Sequence, residues 1–254
     1  MDIIKDIIYV NKEAGSKTLE SFQKNWLIVF TGFIYTVLNY IIYSLFGALI
    51  TGPISIFAGI INALIISAMV SNYLYLLFNV INYNRVTIDD FKYGFGYFLR
   101  KIYVIIFIGY IARLLLSLPG NMLINIQPSF TFGLYFVVMF LVPLIFNPLA
   151  ETIYLKSYDP WESIVQTLVF MKENWLNWGI PSLSFFALLY LITGDLHLGF
   201  FDTHISFTFT TDIKIIALYS IAQVVFTIMM IYRGHLYKLL STSTRRKRMF
   251  MNKF

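Results

Sequence analysis

The sequence predicts an all-α membrane protein, with six transmembrane helices arranged as three helical hairpins and interfacial amphipathic elbow helices between them. Three observations predict it. Hydrophobic residues make up 58% of the 254-residue chain and charged residues only 13%, with a mean hydropathy of +0.72, more apolar than a water-soluble domain of this size. Six apolar runs lie at roughly Trp26 to Ile50, Pro53 to Ile81, Ile102 to Leu118, Thr131 to Tyr154, Trp175 to Thr193 and Ile213 to Leu240. Each supplies enough helical residues, at about 1.5 Å apiece, to match a hydrocarbon core of roughly 30 Å. Finally, lysines and arginines alternate from side to side of these runs.

Lys5, Lys12, Lys17 and Lys24 precede the first run; Arg85, Lys92, Arg100 and Lys101 separate the second and third; Lys156 and Lys172 separate the fourth and fifth. Arg245, Arg246, Lys247, Arg248 and Lys253 follow the sixth, whereas the three opposite loops hold only Lys214. By the positive-inside bias both termini face the cytoplasm, and the chain is expected to be a multi-pass protein of the plasma (inner) membrane. Residues 1–240 form one transmembrane domain, and 241–254 a basic cytoplasmic tail. Stretches such as YVIIFIGYIA and LYFVVMFLVPLIF lack the alternation of a transmembrane barrel. The first 25 residues carry acids and bases throughout, so the first span is expected to be its own insertion signal rather than a cleaved one. With no cysteine, disulfides, thiolate metal sites and a cysteine nucleophile are excluded.

Each hairpin opens on an amphipathic cytoplasmic stretch: TLESFQKNWL, TIDDFKYGFGYFLRK and DPWESIVQTLVFMKENWLNW. Thr18, Thr87 and Asp159 read as helix caps, with Glu20, Asp90 and Glu162 in the first turns. These elbows are expected to lie flat at the inner interface, with Trp26, Trp175 and Trp178 at headgroup depth. In the second span, Gly59, Ala63, Ser67 and Ser71 fall four residues apart and read as a helix-packing seam. Pro119-Gly120 and Pro128 mark a turn before the fourth span, where Pro143 and Pro148 remove backbone donors and kink or break the helix. Between the last two spans, alternation from His204 to Thr210 admits a small extracellular β-hairpin.

Polar residues inside apolar runs mark candidate sites. Glu151 and Arg233 fall at similar depth, so an inner-side ion pair is geometrically available, and either charge buried alone would cost several kcal/mol. Asn72, Asn79, Asn147, Glu151, Gln223 and Arg233 are expected to line a cavity opening to the cytoplasmic leaflet. Arg113 and the tail residues Arg245, Arg246, Lys247 and Arg248 are expected to meet lipid headgroups. Asp195, His197, Asp202 and His204 repeat an Asp-x-His spacing and offer donors for a divalent transition metal, though such a loop is more often merely solvated. His235 has no evident partner. There is no HExxH, Walker or GxSxG motif, the Gly94-to-Gly96 GFG lacks the strand of a dinucleotide loop, and no cofactor is implied.

The elbows SFQKNWL and FMKENWLNW, with the Asn-Pro-containing fourth span, make the chain resemble uncharacterised bacterial six-helix integral membrane families. In layout it is similar to the membrane domain attached to some glycerophosphodiester phosphodiesterases. That resemblance covers most of the chain and implies a six-helix fold, but no catalytic residue carries over and the phosphodiesterase domain is lacking. The expected function is non-enzymatic: a transport component, or an amphiphile- or lipid-binding protein. The alternatives are a membrane-embedded lipid-modifying enzyme using Glu151 as base or the outer loop as metal centre, and a scaffold docking a cytoplasmic partner. Expected partners are membrane lipids, anionic on the cytoplasmic side, and a partner subunit of a transport system; nucleic acid is not expected.

Overall fold

Asp6, Val10, Ala14, Thr18, Ser21 and Asn25 are all buried, and their three- and four-residue spacing is one face of a helix. The first five form the inner stripe of α1, Ile3–Lys24, and Asn25 follows directly after it. A computed structural model describes residues 3–47, 55–123, 133, 137–207, 209–244 and 247–248, and among these every regular element is helical. After a 3₁₀ turn at Trp26–Phe30 come α2 (Thr31–Gly47), α3 (Ser55–Tyr83), α4 (Ile88–Tyr97) and α5 (Leu99–Leu123). A π turn at Val137–Leu141 leads into α6 (Val142–Ile145) and α7 (Leu149–Leu155). Two long helices close the fold, α8 (Pro160–Thr193) and α9 (Ile213–Thr242).

Four helical stretches are long and apolar enough to cross a membrane: Trp26–Leu45, Gly59–Tyr83, Pro160–Thr193 and Ile213–Thr242. A fifth arises if α4 and the Leu99–Ala112 part of α5, bent by 46°, count as one span. The expected fourth run is represented by the shorter apolar stretch Val142–Leu155; residues 131, 132 and 134–136 of that run lie outside the described part. Large apolar side chains such as Phe33, Ile41, Leu64, Leu183, Leu191 and Ile221 remain exposed along these helices. An apolar exterior of this extent suits lipid as the solvent.

The three elbows differ from one another. α1 crosses the end of the bundle: Asp6 meets Asn177 of α8, Asn11 accepts from Tyr232 of α9, and Ser21 meets His235 of α9 at 2.9 Å. Its far end reaches the turn after α3, where Asn84 donates to Glu20 and accepts from Asn25. Asn84 adopts the left-handed conformation, at φ 52°, which asparagine tolerates better than most residues. Thr18 is not a cap but an interior residue donating to the Ala14 carbonyl. The second cap is real: Thr87 and Asp90 form a reciprocal capping box. α4 itself packs along α3. The third elbow is continuous with its span in the 34-residue α8, roughly 51 Å at 1.5 Å per residue, and Asp159 makes no side-chain cap bond.

The bend between α4 and α5 has an identifiable cause. Ser71 Oγ accepts from the Phe98 N–H at 2.8 Å and donates to the Gly94 carbonyl at 2.7 Å. The hydroxyl thus sits inside the bond that an unbroken helix would make between residues 98 and 94, and such an insertion bends a helix. Gly94 permits the approach, since a Cβ there would fall 2.9 to 3.2 Å from Asn72 atoms. Small residues on α3 and α4 therefore join α3 to the α4–α5 bend, a more specific role than a general packing seam. Residues 203–207 and 209–210 form no strand. That segment is held by side chains of α2 and α9 instead of a strand partner.

Replacing Ser71 with Ala removes the bridge between two buried backbone groups. Loss of about 1–3 kcal/mol is expected in denaturant unfolding of the detergent-solubilised protein; unchanged stability would show that the bend has another origin.

Candidate functional site

Pro148 has no N–H to continue a helix, and the chain turns over residues 146–148 before α7 begins. Breaks of this kind survive at membrane depth only where protein or water satisfies the freed backbone groups. Here an arginine does so. Arg233 Nη2 donates to the Asn147 carbonyl at 2.6 Å and to Glu151 Oε2 at 3.0 Å, while Arg233 Nε lies 2.9 Å from Glu151 Oε1. Both side chains are buried, Arg233 at 6% exposure and Glu151 at 0%. Trp178 completes the junction. Its Nε1 donates to Asn147 Oδ1 at 2.9 Å, and its ring centroid lies 5.5 Å from the guanidinium carbon, within cation–π range. Nearby, Thr152 Oγ1 bonds Tyr237 Oη at 2.9 Å and Thr167 Oγ1 at 3.1 Å. The buried hydroxyls of Tyr73 and Tyr154 have no hydrogen-bond partner among the described residues.

The segment between α8 and α9 folds back into the helices. Ile205 N–H donates to Gln223 Oε1 at 2.9 Å, and the Gln223 amide sits over Gly32 of α2, where a Cβ would come within 2.5 to 2.7 Å of it. Phe207 packs on Phe33 and Tyr219, with ring centroids 5.7 and 4.7 Å away, and His204 lies 5.8 Å from the Tyr35 ring. Beside it is a void of about 10 Å³ whose lining includes His197, Asp202 and Arg233. It has room for about one water molecule. Burial pushes the His204 imidazole down to about 4. It also raises the Asp202 carboxyl, opposed by the Gly199 N–H that Asp202 accepts at 3.0 Å and by the charges of His197 and Arg233.

A larger cavity, about 570 Å³, opens where the start of α1 meets α8 and the end of α9. Phe170, Trp175 and Tyr237 supply aromatic surface, and Lys156, Gln166, Glu173, Asn174 and Asn177 supply polar groups. Ser241 to Thr244 wall one side. Beneath it Arg248 Nε and Nη2 donate to Asp6 Oδ1 and Oδ2 at 2.9 and 3.0 Å, both side chains at 4% exposure.

These positions revise the sequence expectations. Asn72, Asn79, Asn147, Glu151, Gln223 and Arg233 are all buried, but they do not line one cavity. Asn147, Glu151 and Arg233 converge at the broken helix. Asn72 joins α2 to α4 through Tyr35 and the Phe91 carbonyl, Gln223 holds the loop between α8 and α9, and Asn79 Nδ2 is unpaired among the described residues. Asp195, His197, Asp202 and His204 do not converge either, and among the described residues no group of three or more His, Asp or Glu could hold a metal ion. Asp195 and Asp202 serve different turns, and His204 faces Thr203 and Tyr35.

Arg248 is committed to Asp6 rather than free for headgroups, while Lys247 is exposed. Arg245 and Arg246 lie outside the described residues, as does the side chain of Arg113. Sequence reasoning missed the Asp6–Arg248 pair, whose members are 242 residues apart, and it placed Trp178 at the interface although it is fully buried. The available signal for Trp178 was its position three residues after Trp175, which puts the two on neighbouring faces of one helix. No family model, curated protein or solved structure matches the chain.

The folded-back loop makes an accessibility prediction. In the protein otherwise free of cysteine, Thr203→Cys, at 8% exposure, resists a membrane-impermeant maleimide, and Leu196→Cys, at 55%, reacts. The folded loop keeps His204 neutral down to about pH 4, whereas an open loop protonates it near its ordinary 6.5. Acidification through that window therefore favours opening, and Thr203→Cys labelling rises as pH falls. The raised carboxyl of Asp202 acts in the opposite sense, so the His204 contribution is read as the part of the rise that His204→Gln removes. Equal labelling at both positions, or no effect of His204→Gln, contradicts this arrangement.

Proposed function

We propose that this is a plasma-membrane protein that binds an amphiphile, a membrane lipid, by its headgroup at the cytoplasmic face. The observation that carries the reading is the 570 Å³ cavity, a size that suits a small-molecule or headgroup site. Its two uncommitted charges have opposite sign: neither Lys156 nor Glu173 is in an ion pair among the described residues. A zwitterionic headgroup matches them, its phosphate toward Lys156 and its ammonium toward Glu173, with Trp175, Phe170 and Tyr237 as aromatic walls suited to an organic cation. The buried Oδ1 of Asn177 has no partner among the described residues and offers an additional acceptor.

In this reading the chain crosses the membrane six times as three hairpins, the bent α4–α5 pair and the broken α6–α7 region each contributing to one crossing. An even number is supported by the Asp6–Arg248 pair, which ties the N-terminal helix to the tail. The lysine-rich α1, with Lys5, Lys12, Lys17 and Lys24 exposed, then lies against anionic headgroups of the inner leaflet. A role as the membrane component of a transport system follows the same placement, with the partner subunit meeting the α1 end.

Native mass spectrometry of the detergent-extracted protein tests the site. The wild type is expected to retain one phospholipid per chain, and Lys156→Ala with Glu173→Gln to reduce the retained fraction at least about tenfold, the loss of roughly 1.4 kcal/mol of affinity. Retention that is the same in wild type and double variant would falsify the assignment.

A further inference from the structure

α1 has three faces. Asp6, Val10, Ala14, Thr18 and Ser21 are turned to the bundle. Beside them Ile4, Ile8 and Leu19 stand 67, 61 and 60% exposed, and at about 100° per residue these three fall within about 60° of one another. Gly15 lies in the same sector, with open space where a Cβ would be. The rest of the surface is polar, and there Lys17 pairs with Glu13 and Lys24 with Glu20, each at 2.8 Å. Lys5 and Lys12 are placed differently. Both are exposed, neither is in an ion pair among the described residues, and helical spacing puts them at the border between the aliphatic face and the polar one. With Ile8, Tyr9, Glu13 and Ser16 they line a depression on the surface.

Water does not account for this order of faces. One stripe already packs α1 against α8 and α9, and a second, outward stripe of large aliphatic side chains is unfavourable in an aqueous surround. At a bilayer surface the order is the expected one: hydrocarbon, then phosphates, then water. The aliphatic, lysine and ion-paired sectors of α1 follow one another around its axis in that sequence. Lysine suits the border because its stem covers apolar surface while its ammonium reaches a phosphate. The aliphatic face also joins the apolar exterior of the bundle: directly after Asn25, the exposed Trp26, Leu27 and Phe30 open the Trp26–Leu45 stretch.

We propose that the outer face of α1 is a docking surface for the anionic inner leaflet, with Ile4, Ile8 and Leu19 entering the acyl boundary and Lys5 and Lys12 binding the phosphates of anionic lipids. The proposal rests on the placement of α1 at that leaflet and assigns the contact to two of its four lysines. Lys17 and Lys24 are matched by Glu13 and Glu20 on the water side and contribute little. None of Ile4, Lys5, Ile8, Lys12 and Leu19 lines the larger cavity, so this surface and the zwitterionic headgroup site are separate.

Because the chain has no cysteine, Ile8→Cys and Glu13→Cys each carry one fluorescent label, in the full-length protein reconstituted into vesicles of phosphatidylcholine and phosphatidylglycerol. The Ile8→Cys label is expected to be quenched by lipids spin-labelled on the acyl chain near the headgroup, and the Glu13→Cys label by aqueous iodide. Spin-labelled phosphatidylglycerol quenches at Ile8→Cys at least about twofold more than spin-labelled phosphatidylcholine, and added salt narrows the difference. Lys5→Gln with Lys12→Gln removes that preference, and Lys17→Gln with Lys24→Gln leaves it. Iodide rather than lipid quenching at Ile8→Cys overturns the proposal, as does shielding from both, which marks a protein partner on this face. Equal quenching by the two lipids overturns it too, as does a preference that only the Lys17 and Lys24 substitutions remove. Lipid retention by the cavity is a separate readout, so its failure leaves these outcomes unchanged.

Discussion

Inside a bilayer there is no water to satisfy a broken helix, so every freed carbonyl and every charge must find its partner within the protein. The junction at Arg233 is where this chain meets that constraint. One guanidinium supports the Asn147 carbonyl at the Pro148 break, neutralises Glu151, lies over Trp178 and faces Asp202 across a small void. Elements far apart in sequence are thereby held in one arrangement: the broken helix, α8 and α9. Buried ion pairs are weak evidence for stability as such, since a well-packed apolar replacement can be as stable. Their value lies in what they exclude, because any packing that separates Arg233 from Glu151 strands a charge in the interior.

The same constraint explains how polar side chains are used elsewhere. Ser71 fills the missing helix bond at the α4–α5 bend, and Gln223 accepts from Ile205 of a non-helical segment. At the opposite end of the bundle, α1 lays its buried stripe over α8 and α9 and leaves lysines outward. The Asp6–Arg248 pair then brings the tail beside the cavity that Lys156 and Glu173 line. The protein combines a sealed polar interior with an open headgroup-sized cavity at one end, and the proposed lipid binding belongs to the cavity.

The apolar runs, the helical class and the pairing of Glu151 with Arg233 were legible in the sequence, because hydropathy reports burial in lipid directly and two opposite charges at one depth have few other partners. The Pro143 and Pro148 break was legible too, as was the Thr87 cap. What could not be read was which residues share a space. Asn72 and Asn79 lie near a common face of α3, yet one is bonded to Tyr35 and Phe91 and the other is not, since helix rotation and the bend at Phe98 are tertiary outcomes. Alternation from His204 to Thr210 imitated a strand because Phe207 and Phe209, two residues apart, both pack against α2, a pattern that a folded-back coil shares with a hairpin. Similarly, α1 was read as starting at Thr18 because its upstream half is too polar to register as apolar, although its buried stripe keeps helical spacing.

The central claim is that Arg233 and Glu151 act as one unit holding the broken helix to α9. A double-mutant cycle on reversible unfolding of the solubilised protein tests it most directly, with Arg233→Met, Glu151→Leu and their combination. Arg233→Met strands Glu151 and is predicted to cost about 3–5 kcal/mol, and the double variant to recover most of that loss because no charge remains buried alone. Losses in the double variant that simply add those of the singles would contradict the account.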